Sequence, residues 1–334
     1  MKRSFFLVVS VLSCLLFAGC GNTDRDGFVQ MALETDSLTV ASVQMSDWVR
    51  VGDKAAIYSR EADTNYTVYR LPVFDSLYSF NAEENKKLGL STTGILPAAK
   101  DNGDLYVLDF VSRSLSCFQL GEDSVRLHAC YDNAPKLVYV NGIVVSDTLV
   151  LLGTMNFLEK SYRLSLMDLR DWSTVQELEC KTFVDEGYNP VNYPVLAANG
   201  NDLALVYKDY KRIEYYSLST EGRLSFEKAV GKDYDRAGVE ALKKAVTALD
   251  GPVAVAGGKK YLYLLENAVD IKGEILGSRV EVFDWKGNGL YRLRLHRPAT
   301  RLMVDEATGK IYTFNELKED GKIYVYDMSS ILGQ

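Results

Sequence analysis

The feature that most constrains this chain is a repeat that occurs six times along the sequence. Each copy has a tight polar turn, a strand rich in apolar and aromatic residues, a polar loop, and a second alternating strand. The copies open at Gly52, Asn102, Ser146, Asn199, Gly257 and Thr308. Their spacing of about fifty residues suits four short strands with their turns, which is the size of one β-propeller blade.

We therefore predict an all-β fold, a six-bladed β-propeller with four-stranded blades over residues 37–330. A doubly wound α/β fold would need a helix between successive strands. The sequence predicts one helix, over Tyr234–Leu249, where Val239, Leu242 and Val246 recur at helical spacing. We interpret it as an insertion between two blades.

The two ends of the chain favour a closed ring. The last copy ends with its third strand, Ile323–Asp327, while Ser37–Val43 (SLTVASV) is a spare strand near the N-terminus. We predict that this strand pairs as the outermost strand of the last blade, which leaves no open sheet edge.

The N-terminus has the pattern of an export signal. Lys2 and Arg3 precede an apolar run over Ser4–Phe17, which is shorter than the roughly 20 residues of a transmembrane helix. The run ends in Phe17-Ala18-Gly19-Cys20, which resembles the lipobox of bacterial lipoproteins, except that Phe17 stands where Leu is preferred. We predict a signal peptide over residues 1–19, lipidation of Cys20 and a flexible tether over 20–36; the alternative is a soluble secreted protein cut near Ala18.

Charge narrows the classes of partner. Removal of residues 1–19 also removes Lys2 and Arg3, so the formal net charge falls from −7 to −9. This argues against nucleic acid and against polybasic binding to acidic lipid. Gly21 follows Cys20, where lipoproteins retained at the inner membrane often have Asp, so we expect an outer-membrane anchor, facing either the periplasm or the cell surface.

Three cysteines follow Cys20: Cys117, Cys130 and Cys180. Pairing about the turn at residues 121–123 puts Cys117 opposite roughly Leu127, so Cys130 points to the other face of the sheet. We expect buried free thiols, although a β-bulge would allow Cys117 and Cys130 to form a disulfide.

The region Lys259–Asp327 contains KKYLYLLEN, SRVEVFDWKGNGLYRLRLHRPATRLMVDEATGKIYTF and GKIYVYD. It resembles the last two blades of the TolB-like six-bladed propeller lipoproteins of Gram-negative bacteria. DNGDLYVLDF and YKDYKRIEYYSL agree with earlier blades, so the resemblance spans most of residues 40–328. It implies protein partners in the cell envelope, and because its motifs are structural it implies no catalytic residue.

Motifs for catalysis, metals or cofactors are missing from the sequence. His128 and His296 lie far apart, and no HExxH, CxxC, GxSxG or P-loop pattern occurs. We expect neither a metal nor a cofactor. Four acids that follow strands, Asp109, Asp168, Asp284 and Asp327, are predicted to accept backbone hydrogen bonds in turns rather than to act as acid and base.

One candidate binding site is a ring of cations. In a propeller the loops between second and third strands open on one face, and here each carries a basic residue. The set is Arg60, Arg113, Lys160, Lys208 with Lys211, Lys272 and Lys318. Such a ring would favour an anionic ligand or partner. The alternative is that polar loops commonly contain Lys and Arg, and here Glu61, Glu159 and Glu316 lie beside several of them.

A second candidate is the long loop between two blades at residues 183–194, FVDEGYNPVNYP, with Tyr188, Asn189, Asn192 and Tyr193. Aromatic rings and amides suit sugars or peptides, through stacking and hydrogen bonds. The alternative is that its tyrosines fill a junction between blades. The tryptophans are predicted to pack between blades.

From these features we expect a monomeric, non-catalytic propeller that binds an envelope protein or a glycan at its loop-rich face. The alternative is a carbohydrate-active hydrolase or lyase with its site in the central funnel. That alternative would require two carboxylates at the funnel mouth with the spacing of a glycosidase pair.

Overall fold

The computed structural model describes residues 27–33, 35–39, 45–59, 65–82, 93–209, 211–235, 237–238, 241, 252–269, 274–317 and 321–332. The predicted signal peptide and Cys20 lie outside these residues, and so does most of the predicted helix at 234–249. None of the helices within the described ranges is long and apolar enough to cross a membrane.

The described chain starts with two strands, β1 (Val29–Ala32) and β2 (Thr35–Thr39). Blade 1 then contains β3 (Met45–Val51), β4 (Lys54–Ser59), β5 (Tyr66–Arg70) and β6 (Asp75–Phe80). Blade 2 contains β7 (Thr93–Leu96), β8 (Asp104–Asp109), β9 (Ser114–Leu120) and β10 (Val125–Tyr131). Blade 3 contains β11 (Val138–Ser146), β12 (Leu149–Asn156), β13 (Ser161–Asp168) and β14 (Thr174–Leu178).

A short hairpin, β15 (Phe183–Val184) with β16 (Pro190–Val191), leads to the second half of the ring. Blade 4 contains β17 (Pro194–Asn199), β18 (Asp202–Tyr207), β19 (Arg212–Leu218) and β20 (Leu224–Gly231). Blade 5 contains β21 (Pro252–Gly257), β22 (Tyr261–Val269), β23 (Ile275–Asp284) and β24 (Gly289–Leu295). Blade 6 contains β25 (Arg301–Asp305), β26 (Lys310–Phe314) and β27 (Lys322–Asp327), followed by the helix α1 (Ser329–Leu332).

The prediction of a six-bladed propeller is confirmed. The first strands of the blades line a central channel, and the later strands of each blade follow outward as an antiparallel meander. We call the face that carries the loops between second and third strands, and between blades, the upper face. The lower face carries the turns between first and second strands and between third and fourth strands.

Apolar layers between the blades hold the ring together. Between blades 2 and 3, for example, Leu108, Leu115, Val150 and Leu152 lie in one cluster and are each at most 1% exposed. Burial of one such side chain contributes about 1.5–3 kcal/mol. The strand alternation seen in the sequence therefore supplies both faces of every blade with side chains for its neighbours.

The N-terminal strand closes the ring, as predicted. β2 pairs antiparallel with β27, from Thr35 opposite Tyr326 to Thr39 opposite Lys322. The strand begins two residues earlier than the predicted Ser37, and the part of the prediction at 40–43 lies outside the described residues.

The predicted tether at 20–36 is wrong for its second half. β1 pairs parallel with β24 as a fifth strand of blade 5. Phe28 and Leu33, on either side of β1, are 5% and 4% exposed. Phe28 packs with the layer between blades 4 and 5, and Leu33 with the layer between blades 5 and 6. This burial offsets the entropy that is lost when the segment is ordered.

The four acids at strand ends have the predicted structural role. Asp109, Asp168, Asp284 and Asp327 each accept a backbone N–H from the turn that follows, at 2.7–2.9 Å. Their carboxylates stabilise turns, as Asx motifs do.

Cys117, Cys130 and Cys180 are free, but the expectation that they are buried holds only for Cys117, because Cys180 is half-buried and Cys130 is exposed on an outer strand. A bulge at His128 pairs Ala129 with Cys117 and Cys130 with Ser116, so the two thiols point to opposite faces, as expected. Burial raises the pKa of Cys117 to about 12, and this thiol is therefore protonated at neutral pH.

Candidate binding face

The central channel encloses about 530 Å³. Its walls consist largely of aliphatic residues and glycines on the first strands, including Val49, Gly94, Val195, Ala254 and Leu302. These side chains provide shape and apolar contact but no group that transfers a proton. The polar chemistry of the channel is therefore at its two ends.

The lower end of the channel is bound together by charge. Arg50 lies between Asp101, at 3.2 Å, and the buried Asp305, at 3.5 Å. Asp101 also accepts the Gly52 backbone N–H. This arrangement joins blades 1, 2 and 6, and both acids already have a basic partner.

The upper mouth is aromatic. The rings of Phe110 and Tyr139 stack with centroids 5.6 Å apart and an interplanar angle of 19°. The Tyr139 hydroxyl donates to the Pro135 carbonyl at 2.6 Å, and burial raises the pKa of Tyr139 to about 12, although the charge of Arg113 opposes this. On blade 4, Lys208 donates to the Tyr193 hydroxyl at 3.0 Å and lies 4.9 Å from the centre of that ring. Flat rings and a cation thus line the side of the opening formed by blades 2, 3 and 4.

Asp47 is the carboxylate that lines the upper mouth among the described lining residues. It lies 3.8 Å from Arg301, which also binds Glu316 at 2.7 Å. Both acids therefore share one guanidinium. The acids described at both ends of the channel are therefore held in ion pairs with arginines, and this favours a structural role for them over the acid and base of the hydrolase alternative.

The members of the predicted cationic ring have different environments. Lys208 lines the channel, and Lys160 lies 4.7 Å above the ring of Tyr188. Lys211 points away from the mouth and contacts Glu281 at 2.5 Å. Arg60, Lys272 and Lys318 lie outside the described residues.

The loop at 183–194 contains two kinds of residue: some are exposed to solvent or line the channel, and others stabilise the loop through hydrogen bonds. Tyr188 is 45% exposed at the tip of the β15–β16 hairpin, and Tyr193 lines the channel. Asn189 bonds to Asp185 within the hairpin. Asn192 is 1% exposed, and its Nδ2 donates to the Lys181 carbonyl while its backbone N–H donates to Asp209.

Sequence reasoning missed an apolar surface on blades 2 and 3, which we call the upper patch. Its residues are Phe110, Val111, Leu137, Val138, Phe157, Leu158 and Tyr188, all at least 41% exposed. Leu158 is the extreme, at 97% exposed. The signal in the sequence was the pair Phe157-Leu158 in a loop where small polar residues are usual.

Several residues of the upper face have backbone conformations that favour glycine. Arg113, Asn133, Lys160, Tyr188 and Asn192 have φ between +47° and +64°. Residues other than glycine rarely have a positive φ, and those that do cluster at binding sites. Four of these five were candidate site residues.

The candidates for chemistry do not converge in the described part of the chain. No group of three or more His, Cys, Asp or Glu residues there is arranged to hold a metal ion. His128 lies at the bulge of an outer strand of blade 2, whereas His296 follows β24 in blade 5. Trp48 and Trp172 are buried, and Trp285 is half-buried with its indole N–H on the Gly258 carbonyl, as expected of packing residues.

No family model matches this chain, and no curated protein matches it. Solved structures do share its fold. The β-propeller domain of Cps50 (Swd1) from Myceliophteria thermophila is 10% identical with a TM-score of 0.53, and the match covers 88% of this chain and all of that one. A luciferin-regenerating enzyme is 11% identical, with a TM-score of 0.52 over 88% of this chain and 95% of that one.

A member of the duf4221 family from Bacteroides vulgatus is also 11% identical, with a TM-score of 0.50 over 89% of this chain and 96% of that one. At these identities a likeness shows the fold alone. Together with the strand order, the comparisons establish that the chain is a six-bladed β-propeller.

Proposed function

We propose that this protein is a lipid-anchored, TolB-like binding protein of the outer membrane that holds a protein partner on its upper face. One observation carries the proposal: twelve large apolar side chains are exposed among the described residues, and nine of them lie on the upper face. The other three, Val73, Leu127 and Phe226, lie on the lower face or on outer strands. Exposed apolar residues gathered on one face are typical of a surface that another molecule covers.

The chemistry of the upper patch favours a protein over a small ligand. Aromatic and aliphatic side chains supply the energy of association when water is removed from them, at about 25 cal/mol per Å². Arg113 and Lys160 border the patch, and Lys208 is at the mouth. The chain as a whole is acidic, so these three cations form a local region of opposite charge. They select and orient an acidic or hydrogen-bonding segment of the partner.

The N-terminus supports an anchor close to the propeller. Phe28 is the first buried residue of the described chain and comes eight positions after Cys20. If Cys20 carries the lipid, the link reaches at most about 27 Å. This is about half of what a tether that ended before β2 would allow. A monomer held so close to the outer membrane meets its partner in the envelope, on either the periplasmic or the outer side.

A crosslinking experiment tests the proposal. A photoreactive residue is placed at Leu158 on the upper patch and, as the control, at Val73 on the lower face, which is 56% exposed. We expect one specific protein adduct in intact cells from position 158 and none from position 73. In a second protein the photoreactive residue is placed at Phe110, at the channel mouth. The double substitution Phe157→Asp and Leu158→Asp should abolish the adduct formed from position 110 without lowering the Tm. Equal adducts from positions 158 and 73 would contradict the proposal.

The second candidate is a glycan at the channel mouth. The observation that favours it is the stacked Phe110–Tyr139 pair, which lines the channel together with Tyr193, since aromatic faces stack on sugars. Calorimetry measures the binding of envelope oligosaccharides. Binding that is lost in Phe110→Ala and unchanged in Leu158→Asp would favour the glycan. Turnover of the sugar that disappears in Asp47→Asn would instead favour the hydrolase or lyase.

A further inference from the structure

A second cavity lies at the edge of blade 5, well away from the upper patch on blades 2 and 3. It encloses about 570 Å³ between β22, β23 and β24, and Gln30 of β1 lines one side. The polar residues around it include Arg279, Arg292, Arg294 and His296. We call it the blade-5 pocket.

Strand register brings the arginines of the pocket together. Arg279 of β23 lies opposite Arg294 of β24, and two residues along the same strands Glu281 lies opposite Arg292. The three arginines and Glu281 therefore point to the same face of blade 5. Like charges directly opposite each other on a sheet are destabilising, so the Arg279–Arg294 pair lowers the stability of the fold.

Two buried carboxylates fix part of this cluster in place. Glu266 accepts both Nε and Nη2 of Arg279, at 2.8 and 2.7 Å. Glu281, which is fully buried, binds Arg292 at 2.7 Å and Lys211 at 2.5 Å. These bonds orient the guanidinium groups before any ligand arrives, and preorganised donors bind anions with a smaller loss of entropy.

Among the described residues, the positive charge of the cluster exceeds its negative charge. Lys211, Arg279, Arg292 and Arg294 are four cations, whereas Glu266 and Glu281 are the two carboxylates that contact them among the described residues. Arg294 is exposed and has no acidic partner in the described part of the chain. Burial, and then the charge of Glu281, raises the pKa of Glu266, whereas Lys211 and Arg279 oppose this shift.

We propose that the blade-5 pocket binds a phosphate group, with Arg279 and Arg294 as its principal donors. Guanidinium groups form paired hydrogen bonds with phosphate oxygens, and a dianion would neutralise the excess of charge. The amide of Asn267 and the imidazole of His296 line the same pocket as further donors. The phosphate belongs either to a free small molecule or to a lipid headgroup. The headgroup is a candidate because Gln30, which lines the pocket, is only ten residues from Cys20, the proposed lipid anchor. This site does not depend on the partner proposed for the upper patch.

The test uses the purified full-length protein in detergent and two probes. Calorimetry measures the Kd of inorganic phosphate and of dihexanoyl phosphatidic acid, a lipid that is soluble as a monomer. We expect the protein to bind a probe and Arg294→Gln to weaken binding by roughly tenfold or more. Arg126→Gln is the matched control, because Arg126 is an exposed outer-strand arginine of blade 2; its Kd should equal that of the unsubstituted protein.

The two probes distinguish the sources of the phosphate. Equal affinities identify a free phosphate site, and clearly tighter binding of the lipid identifies a headgroup site. Absence of binding for both probes, or an equal effect of Arg294→Gln and Arg126→Gln, would overturn the proposal. Arg294 is exposed, so an unchanged Tm shows that its substitution leaves the fold intact.

Discussion

The two faces of the propeller use the same backbone conformation with different proportions of glycine. On the lower face, six turns place glycine at positive φ: Gly52, Gly103, Gly200, Gly222, Gly287 and Gly309. On the upper face, Gly231 and Gly321 also have positive φ, but five positions with φ between +47° and +64° hold residues with side chains: Arg113, Asn133, Lys160, Tyr188 and Asn192. The lower turns follow what the chain conformation requires, whereas the upper turns keep side chains at a cost in strain.

The exceptions on the lower face support this contrast. Phe74 and Trp172 also have positive φ, but both are 7% exposed and belong to apolar clusters, so packing offsets their strain. Arg113, Lys160 and Tyr188 have no such compensation from burial, because each is at least partly exposed. Their side chains therefore contribute little to the fold, which agrees with the binding role proposed for the upper face.

The largest expected effect is the addition of a side chain to a lower turn. Gly287 has φ +75°, and an added Cβ would lie 2.9 Å from atoms of both Tyr215 and Val230. We expect Gly287→Ala to lower the free energy of unfolding by about 2–3 kcal/mol, from backbone strain and overpacking together. Urea denaturation measures it.

Gly200→Ala is the matched control for Gly287→Ala. Gly200 has φ +59° with no atom within 4 Å of an added Cβ, so only the strain applies, and we expect a loss of about 1 kcal/mol. Equal losses at the two positions would show that the packing around Gly287 adapts freely, and would weaken the picture of closely packed lower turns.

The opposite substitution on the upper face should stabilise the protein. Arg113 has φ +56°, and Arg113→Gly removes the strained Cβ, so we expect the free energy of unfolding to rise by up to about 1 kcal/mol. Arg113→Ala retains the Cβ and should bring no gain. If glycine and alanine have the same effect on the Tm, strain is not stored at this turn and the contrast between the faces fails.

The smallest effect concerns the charges of a lower turn. Lys310 donates to Asp327 at 2.6 Å and the Ser329 N–H donates to it at 2.8 Å, which holds the pKa of Asp327 well below its usual range. Because this folded-state pKa is depressed, the stabilisation is complete above the unfolded value of about 4 and is lost as the pH falls below it.

We therefore expect Asp327→Asn to cost less than about 1 kcal/mol at neutral pH, since both side chains of the pair are partly exposed to solvent. The deficit should shrink between about pH 7 and about pH 2.5 in urea denaturation. A deficit that stays constant with pH would mean that the amide loses a contact unrelated to the charge of Asp327.

The sequence predicted the blades well and the sites unevenly. The turn acids and the closing strand followed from local patterns, since an Asp after a strand acts within its own turn. β1 escaped prediction because its four residues become a strand only beside β24, far along the chain. The cations of the second-to-third loops looked equivalent in the sequence, yet Lys208 lines the channel and Lys211 points to Glu281 in the next blade.

The amino-acid sequence by itself determined the number of blades and the closure of the ring, because each depends on a short periodic or local pattern. Only the tertiary structure decided which side chains meet: the apolar loop residues of blades 2 and 3 on one face, and the arginines of blade 5 around one pocket. These contacts join residues that are distant in the chain, and strand register and blade packing place them side by side.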